Sequence, residues 1–453
     1  MDFVSGESYV ADVLEQYSSL KYSFRALRHR NFRLFLTGQF ISLIGTWMQT
    51  VALGWLIYRL THSPFLLGLA GFLSQVPSLF FAPLAGVWAD RWNRHRMVIT
   101  TQVLFMLQAL VLAVLVLSGR ATIFEILALN LFLGFVTAVD IPARQSFVIE
   151  MVQGGEDLPN AIALNSSVFN VARLVGPSIA GVLIGLVSEG TVFLVNALSY
   201  IAVLAALLGI RVEPRARRAV ETPAVLAHLA EGVRYVAGFG PIRAVLLLLA
   251  LVGLVGTPYT VLMPMFAIDV LHGGAHTLGF LVASIGLGAL VGALFLAARR
   301  TVRGLGTVIV WAVVAFGLGL LALALVRREW LAGLLLATTG FGMMVHMASS
   351  NTILQTLVDH DKRGRVMSLY TVAFMGTAPF GSLFAGAAAA RIGAPWTVAI
   401  GGSLCLAGAA LFARALPGLR AQVEPIYERL GIVPETATDQ GEAGEAASRT
   451  VPD

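Results

Sequence analysis

Twelve apolar stretches follow one another between residues 33 and 416, parted by short connections that hold most of the charge. Lipid offers no hydrogen bonds, so a chain that crosses it must satisfy every backbone N–H and C=O internally, as a helix or a closed barrel. A helix needs about 20 apolar residues to cross the hydrocarbon, whereas a barrel strand needs about ten of alternating character. These stretches have the helical length and lack the alternation. The predicted spans are 33–58, 64–89, 97–118, 122–142, 160–187, 191–210, 242–268, 276–298, 304–326, 329–351, 364–390 and 394–415. Composition agrees: 57% of residues are hydrophobic and 12% charged, where a soluble domain has about a quarter charged. The fold class that follows is an all-α membrane protein with twelve transmembrane helices.

Charge sets the orientation. One set of alternate connections holds Arg25, Arg28, Arg30 and Arg33, then Arg91, Arg94 and Arg96, then Arg144. The same set continues with Arg211, Arg215, Arg217 and Arg218, then Arg299, Arg300 and Arg303, then Lys362, Arg363 and Arg365. The opposite set has only Arg59, Arg120, Arg327, Arg328 and Arg391. The positive-inside rule then predicts a multi-pass protein of the cell's inner (cytoplasmic) membrane with both termini cytoplasmic. Because the basic residues are spread over alternate connections rather than one face, no nucleic-acid partner is expected. Residues 1–22 lack the apolar core of a signal peptide.

Several chemistries are excluded. The one cysteine, Cys405, lies in an apolar run and cannot form an intrachain disulfide or a cysteine cluster. There is no metal-spaced His/Cys set, no nucleophile elbow and no phosphate-binding Gly-x-x-x-x-Gly-Lys-Ser/Thr. His360, between Asp359 and Asp361, reads as a solvated connection. No catalytic residue, metal site or cofactor is expected, and the chain is not read as an enzyme.

The predicted organisation is a cytoplasmic N-terminal segment (1–32), a six-helix bundle (33–211), a cytoplasmic linker (212–241), a second six-helix bundle (242–416) and a cytoplasmic tail (417–453). Within the linker, 227–236 is predicted to be an amphipathic interfacial helix. The polar end of the tail, 435–453, is expected to be disordered. The halves read as distant copies. Leu67-Gly68 and Leu278-Gly279 open the second and eighth spans, and Gly134-Phe135 and Gly340-Phe341 match in the fourth and tenth. Phe169, Gly176, Ala180 and Gly181 match Phe374, Gly381, Ala385 and Gly386 at one constant offset.

Two motifs carry function. After the second span comes Gly86-Val87-Trp88-Ala89-Asp90-Arg91-Trp92-Asn93-Arg94-His95-Arg96. Topology needs only the arginines. The acid, Asp90, suits a latch, accepting from a helix N-terminus or pairing with Arg91, Arg94 or Arg96. The corresponding stretch of the second half has Arg299, Arg300 and Arg303 but no acid. The fifth span carries Arg173-Leu174-Val175-Gly176-Pro177-Ser178-Ile179-Ala180-Gly181, in which Pro177 removes a helix hydrogen bond and the glycines allow close helix contact.

The first stretch resembles the Gly-x-x-x-Asp-Arg-x-Gly-Arg-Arg/Lys motif of the major facilitator superfamily. Asn93 takes the place of its second glycine, as a residue that also visits left-handed turns. The second is similar to the Gly-Pro motif of that superfamily's antiporters, with Gly176, Pro177 and Gly181 as its kink. Pro142-Ala143-Arg144-Gln145 and Phe32-Arg33-Leu34-Phe35 resemble the drug and siderophore exporter branch, which includes enterobactin and macrolide exporters. The resemblance implies two pseudo-symmetric six-helix bundles, the major facilitator fold. It implies a secondary transporter that exports a small amphiphilic molecule by alternating access. The expected cycle is proton-coupled antiport by a monomer with no cofactor, driven by an ion gradient. The alternative is an importer or permease for a small polar nutrient.

The chain departs from many proton antiporters of that superfamily. Asn130 stands where they have a buried arginine in the fourth span, and the first span has no acid. The candidate cavity or coupling residues are therefore Gln39, Gln49, Asn130, Asp140, Asn165, Arg173, Tyr259, His346 and Tyr370. Asp140 is the candidate for gating or proton exchange, and Arg173 for the cavity wall.

Overall fold

The structure is a computed structural model that describes residues 24–152, 156–211, 225–299, 301–359 and 361–430, without the side chains of 82–84, 86, 87, 89–91 and 225–230. Residues 1–23 of the predicted N-terminal segment 1–32, the arginine run of the linker and the acidic tail lie outside the described residues, as do Arg300 and His360. Among the described residues there is no strand.

A short 3-10 turn at Arg25–Arg28 leads into six helices. They are α1 Arg30–Thr61, α2 Pro64–Arg91, α3 Arg94–Leu117, α4 Ile123–Met151, α5 Leu158–Leu186 and α6 Glu189–Leu208. After the linker come α7 Val225–Gly238, α8 Gly240–Leu251, α9 Ala275–Ala297, α10 Leu305–Leu325, α11 Glu329–Leu357, α12 Arg363–Thr371 and α13 Ala378–Arg429. Among the described residues, eleven helical stretches are long and apolar enough to cross a membrane. The last of them, Arg363–Arg429, has 67 residues and is two crossings. They are parted at Gly393, whose φ of 81° and ψ of 159° no helix contains. Twelve crossings result.

Capping residues decide where several helices begin. The Thr122 hydroxyl accepts from the Glu125 backbone N–H while the Glu125 carboxylate accepts from that of Thr122, a reciprocal capping box. The Ser188 hydroxyl accepts from the Thr191 N–H at the start of α6. Asn93 corrects an expectation. Its φ of −73° is not left-handed, and its side chain instead caps α3 by accepting from the Arg96 N–H. An asparagine can do this where a glycine cannot.

Chain contacts divide the protein into two compact units, Met1–Ala52 with Phe80–Val220, and Leu53–Leu79 with Glu221–Asp453. In the first unit α3 packs against α4 and α6. The core includes Phe32, Phe35, Phe147, Val203 and Leu207, with the Phe35 and Phe147 rings edge-on at 6.1 Å. In the second, α10 packs against α11 and α13. These are the corresponding spans, third with fourth and sixth, ninth with tenth and twelfth.

The copied glycines show the repeat at atomic level. A Cβ on Gly176 of α5 would lie 2.8 Å from the Ile44 carbonyl oxygen of α1. In the second unit a Cβ on Gly381 would run into the carbonyl oxygen of Leu254, which occupies the place of Ile44 in the other half. Each half thus uses one glycine to bring two backbones together, the contact that replaces hydrophobic collapse inside a bilayer.

The seventh crossing was predicted as a plain helix and is not one. After α8 it passes through a π-turn (Val252–Gly256), a 3-10 segment (Thr257–Leu262), a single α-turn (Met263–Met265) and a second π-turn (Phe266–Val270). Pro258 and Pro264 lack the N–H that would continue the ladder, and local changes of winding accommodate them. The eleventh crossing has a matching π-turn at Val372–Gly376. The twelfth was predicted to stop by 415, but the helix runs on through Pro417 to Arg429 because its far side is anchored: Val423 and Tyr427 are buried.

Residues 53–79 belong to the second unit. Gly68 of α2 meets Gly386 of α13 so closely that a Cβ on Gly386 would lie 2.8 Å from the Gly68 Cα. The Phe72 and Phe380 rings meet edge-on at 5.7 Å.

Candidate functional site

The latch motif is described in part. The side chains of Gly86, Asp90 and Arg91 lie outside the described residues. Arg94 donates to Glu150 of α4 at 2.8 Å. His95 bonds the Leu207 carbonyl oxygen at 2.8 Å and stacks on Phe147 at 5.3 Å. Arg96 is exposed. The Trp88 and Trp92 rings are stacked at 5.8 Å, as suits aromatic residues at the lipid headgroup level.

The first unit also holds a clasp that sequence reasoning missed. Asp157, which precedes α5, is 3% exposed and takes Arg25 at 3.1 Å, Arg28 at 2.8 Å and His29 at 2.8 Å. The Asn160 side chain accepts from the Ala26 N–H at 3.0 Å. The hydrogen bond from His29, aided by the charges of Arg28, His29 and Arg25 and against the cost of burial, holds the Asp157 carboxyl below the usual carboxylate range. A lowered folded-state value means that the stabilisation is complete at neutral pH and is lost as pH falls through that value. The thermal stability of the purified protein is therefore expected to gain nothing from this group between pH 5 and pH 7 and to fall below about pH 4. Asp157→Asn should flatten that acid limb; an unchanged limb in the variant would remove Asp157 as its cause. The missed signal was Asp157 three residues before Asn160 at a helix start, facing a basic run more than a hundred residues away.

Asp140 is buried on α4. It accepts from the Thr101 hydroxyl at 2.7 Å and the Gln102 amide at 2.9 Å, both on α3, and pairs with Arg144 one turn on at 3.1 Å. Gln49 donates to Gln108 of α3 at 2.9 Å and accepts from Asn196 of α6 at 2.8 Å. It is thus a buried tie between three helices. Gln39 and Asn130 are also buried. Arg173 and Asn165 are half-buried on α5, and Arg173 is engaged within the protein.

In the second unit Tyr259 is buried edge-on to Phe316 of α10 at 6.0 Å. His346 is 1% exposed on α11, with Nδ1 3.5 Å from the Ser350 hydroxyl and, among the described residues, no hydrogen-bond partner for Nε2. Tyr370 donates to the Met347 carbonyl oxygen at 3.3 Å. Asp140 with Arg144 and Gln49 with its amide partners are brought together; Tyr259 and His346 are each placed in packed surroundings.

Two acids were overlooked. Tyr58 of α1 donates a short hydrogen bond to Asp269, which lies in the last π-turn of the seventh crossing. Asp269 is the only acid in that crossing, but the predicted span stopped at 268 and left it in a connection. Glu424, on the α13 continuation, pairs with Arg303. It supplies an acid to the second-half arginine stretch, which has none of its own in sequence.

Residues 21–429 match the family described as transmembrane secretion effector, one of the major facilitator superfamily. The chain belongs to that family. The staphyloferrin A transporter of Staphylococcus aureus is 25% identical over 78% of this chain and 87% of its own length. The multidrug efflux pump Tap of Mycolicibacterium fortuitum is 26% identical over 76% of this chain and 85% of its own. Among solved structures, the nucleoside transporter NupG superposes with a TM-score of 0.69 at 13% identity, covering 85% of this chain and 99% of that one. That likeness speaks for the fold alone. The chain is thus a multi-pass membrane transporter of the major facilitator type and not an enzyme.

Proposed function

We propose that the protein exports a small amphiphilic molecule, a drug or a siderophore, by alternating access coupled to proton antiport. The observation that carries the reading is the family match over nearly all the membrane-crossing chain, together with relatives named for efflux and for a siderophore. The Gly176-Pro177 motif, embedded against α1, supports the outward direction. The arginine distribution supports an inner-membrane location with both termini cytoplasmic. On that orientation, Tyr58–Asp269 and Gly68–Gly386 tie together the outer ends of four crossings. Asp140 takes part in gating or proton exchange, Arg173 lines the substrate path, and the Asp90 motif latches the inner mouth. No cofactor is required and one copy suffices.

Inverted vesicles test direction and coupling together. An acid interior should drive uptake of an exported dye or siderophore, and collapse of the pH gradient should stop it. Uptake indifferent to the gradient would remove proton coupling, and energised loss from the vesicles would reverse the direction. A second measurement tests the outer tie. Tyr58→Phe removes one hydroxyl and its hydrogen bond, a loss of about 1 kcal/mol, or roughly fivefold in an opening equilibrium. Ser382 is 3% exposed, and a Cβ on Gly71 of α2 would lie 3.0 Å from its own Cβ. Ser382→Cys should therefore react with an impermeant thiol reagent about fivefold faster in the Tyr58→Phe background, by the same arithmetic. Equal rates would sink the role of the tie.

A further inference from the structure

In the second unit, the ends of four crossings enclose a cavity of about 310 Å3. Its walls come from the first turns of α8 and α10, the last turn of α11 and the α13 continuation, and include Val245, Leu357, Phe412 and Leu416. One edge is charged: Arg303, Arg420 and Glu424 line it. Arg303 is paired with Glu424 and lies 6.0 Å from the Tyr427 ring centre, and Arg420 donates to the Thr307 hydroxyl. Among the described lining residues, Glu424 pairs with one of the two guanidiniums, and Arg299, which donates to the Arg303 carbonyl oxygen at 3.1 Å, adds a further positive charge beside that edge.

We propose that this cavity binds the phosphodiester and upper acyl chain of an anionic phospholipid. The argument rests on depth, charge and shape. All four helix ends belong to the arginine-rich side, at the level where helices leave the hydrocarbon and phosphates lie. A phosphodiester carries a negative charge, which this basic edge favours, and the planar guanidinium of Arg420 matches two of its oxygens. Basic pockets between membrane helices are a recurrent setting for anionic headgroups. The apolar wall takes the chain, which inorganic phosphate could not fill. A zwitterionic lipid would bring a second cation beside Arg420, and the Glu424 carboxylate that could meet it is already held by Arg303. A bound lipid would tie the start of α10 to the α13 continuation. This site is independent of the cargo and of the direction of transport.

The test uses the full-length protein, delipidated in detergent. Samples receive dioleoylphosphatidylglycerol, the phosphatidylcholine or phosphatidylethanolamine of the same chains, or inorganic phosphate. Lipid retained is counted by native mass spectrometry and thermal stability is followed in parallel. Phosphatidylglycerol should be retained and stabilise, and phosphate should not. Arg420→Gln should lower retention roughly fivefold, the weight of one basic group near a membrane surface. Arg414 is exposed on the same helix but outside the cavity, and Arg414→Gln should change little. Leu416→Gln, in the wall, should lower retention without changing the charge. Equal retention of phosphatidylethanolamine, equal stabilisation by phosphate, or equal effects of the two arginine variants would each overturn the proposal. Only folded, monodisperse variant is scored, and Arg420 is exposed, so its loss should not prevent folding.

Discussion

A leucine at Gly176 is expected to leave no working transporter. A Cβ there would lie 2.6 Å from the Trp47 Cβ and 2.8 Å from the Ile44 carbonyl oxygen, and neither neighbour is the free end of a flexible chain. Gly176→Ala alone forces α1 and α5 apart and should cost about 1–3 kcal/mol, the usual range for overpacking. Leucine adds three carbons to the same clash. The expected results are a lower thermal midpoint for alanine, and for leucine a collapse of folded yield with no energised uptake into vesicles. Wild-type uptake by the leucine variant would show that the α1–α5 contact is dispensable. The matching position, Gly381, predicts the same order of severity through Leu254 and Pro258.

The second large effect is expected at Asp140. Neutralising it to Asn leaves Arg144 without its ion partner and weakens the link to Thr101 and Gln102 of α3. Removing one partner of a buried pair costs about 3–5 kcal/mol. The Arg144 side chain is 23% exposed, so water recovers part of that, and a loss on the order of 2 kcal/mol is expected. Replacing both partners costs far less than replacing one, so Asp140→Asn combined with Arg144→Gln should regain most of the stability. Energised uptake should not return with it, because the coupling assigned to Asp140 needs an acid. A double variant that regains both stability and transport would make Asp140 a strut and take it out of the transport cycle.

The sequence was most informative where the physics is local or periodic. Apolar length placed the twelve crossings, because hydrocarbon thickness leaves little choice. The family was readable from Asp90 with its arginines and from Gly176-Pro177, because a charge near lipid or a glycine in a helix is costly enough to be meaningful. The glycine pairing between halves was visible as a bare offset. Boundaries were less certain. Asp269 falls outside a predicted seventh span that ends one residue short, and the predicted twelfth span ends at 415 although tertiary anchors carry the helix to Arg429.

By itself the sequence determined what the bilayer demands: how many helices, which connections carry positive charge, and which glycines could admit a neighbour. Only the tertiary structure decided who that neighbour is. Asp157 finds its arginines 132 and 129 residues away, at Arg25 and Arg28, Asp269 finds Tyr58, and Arg303 finds Glu424 beyond the last crossing. A polar side chain at low dielectric must be matched, but a match across the fold leaves no mark in the spacing of either residue. It is set by which helix faces meet, and that is settled by packing.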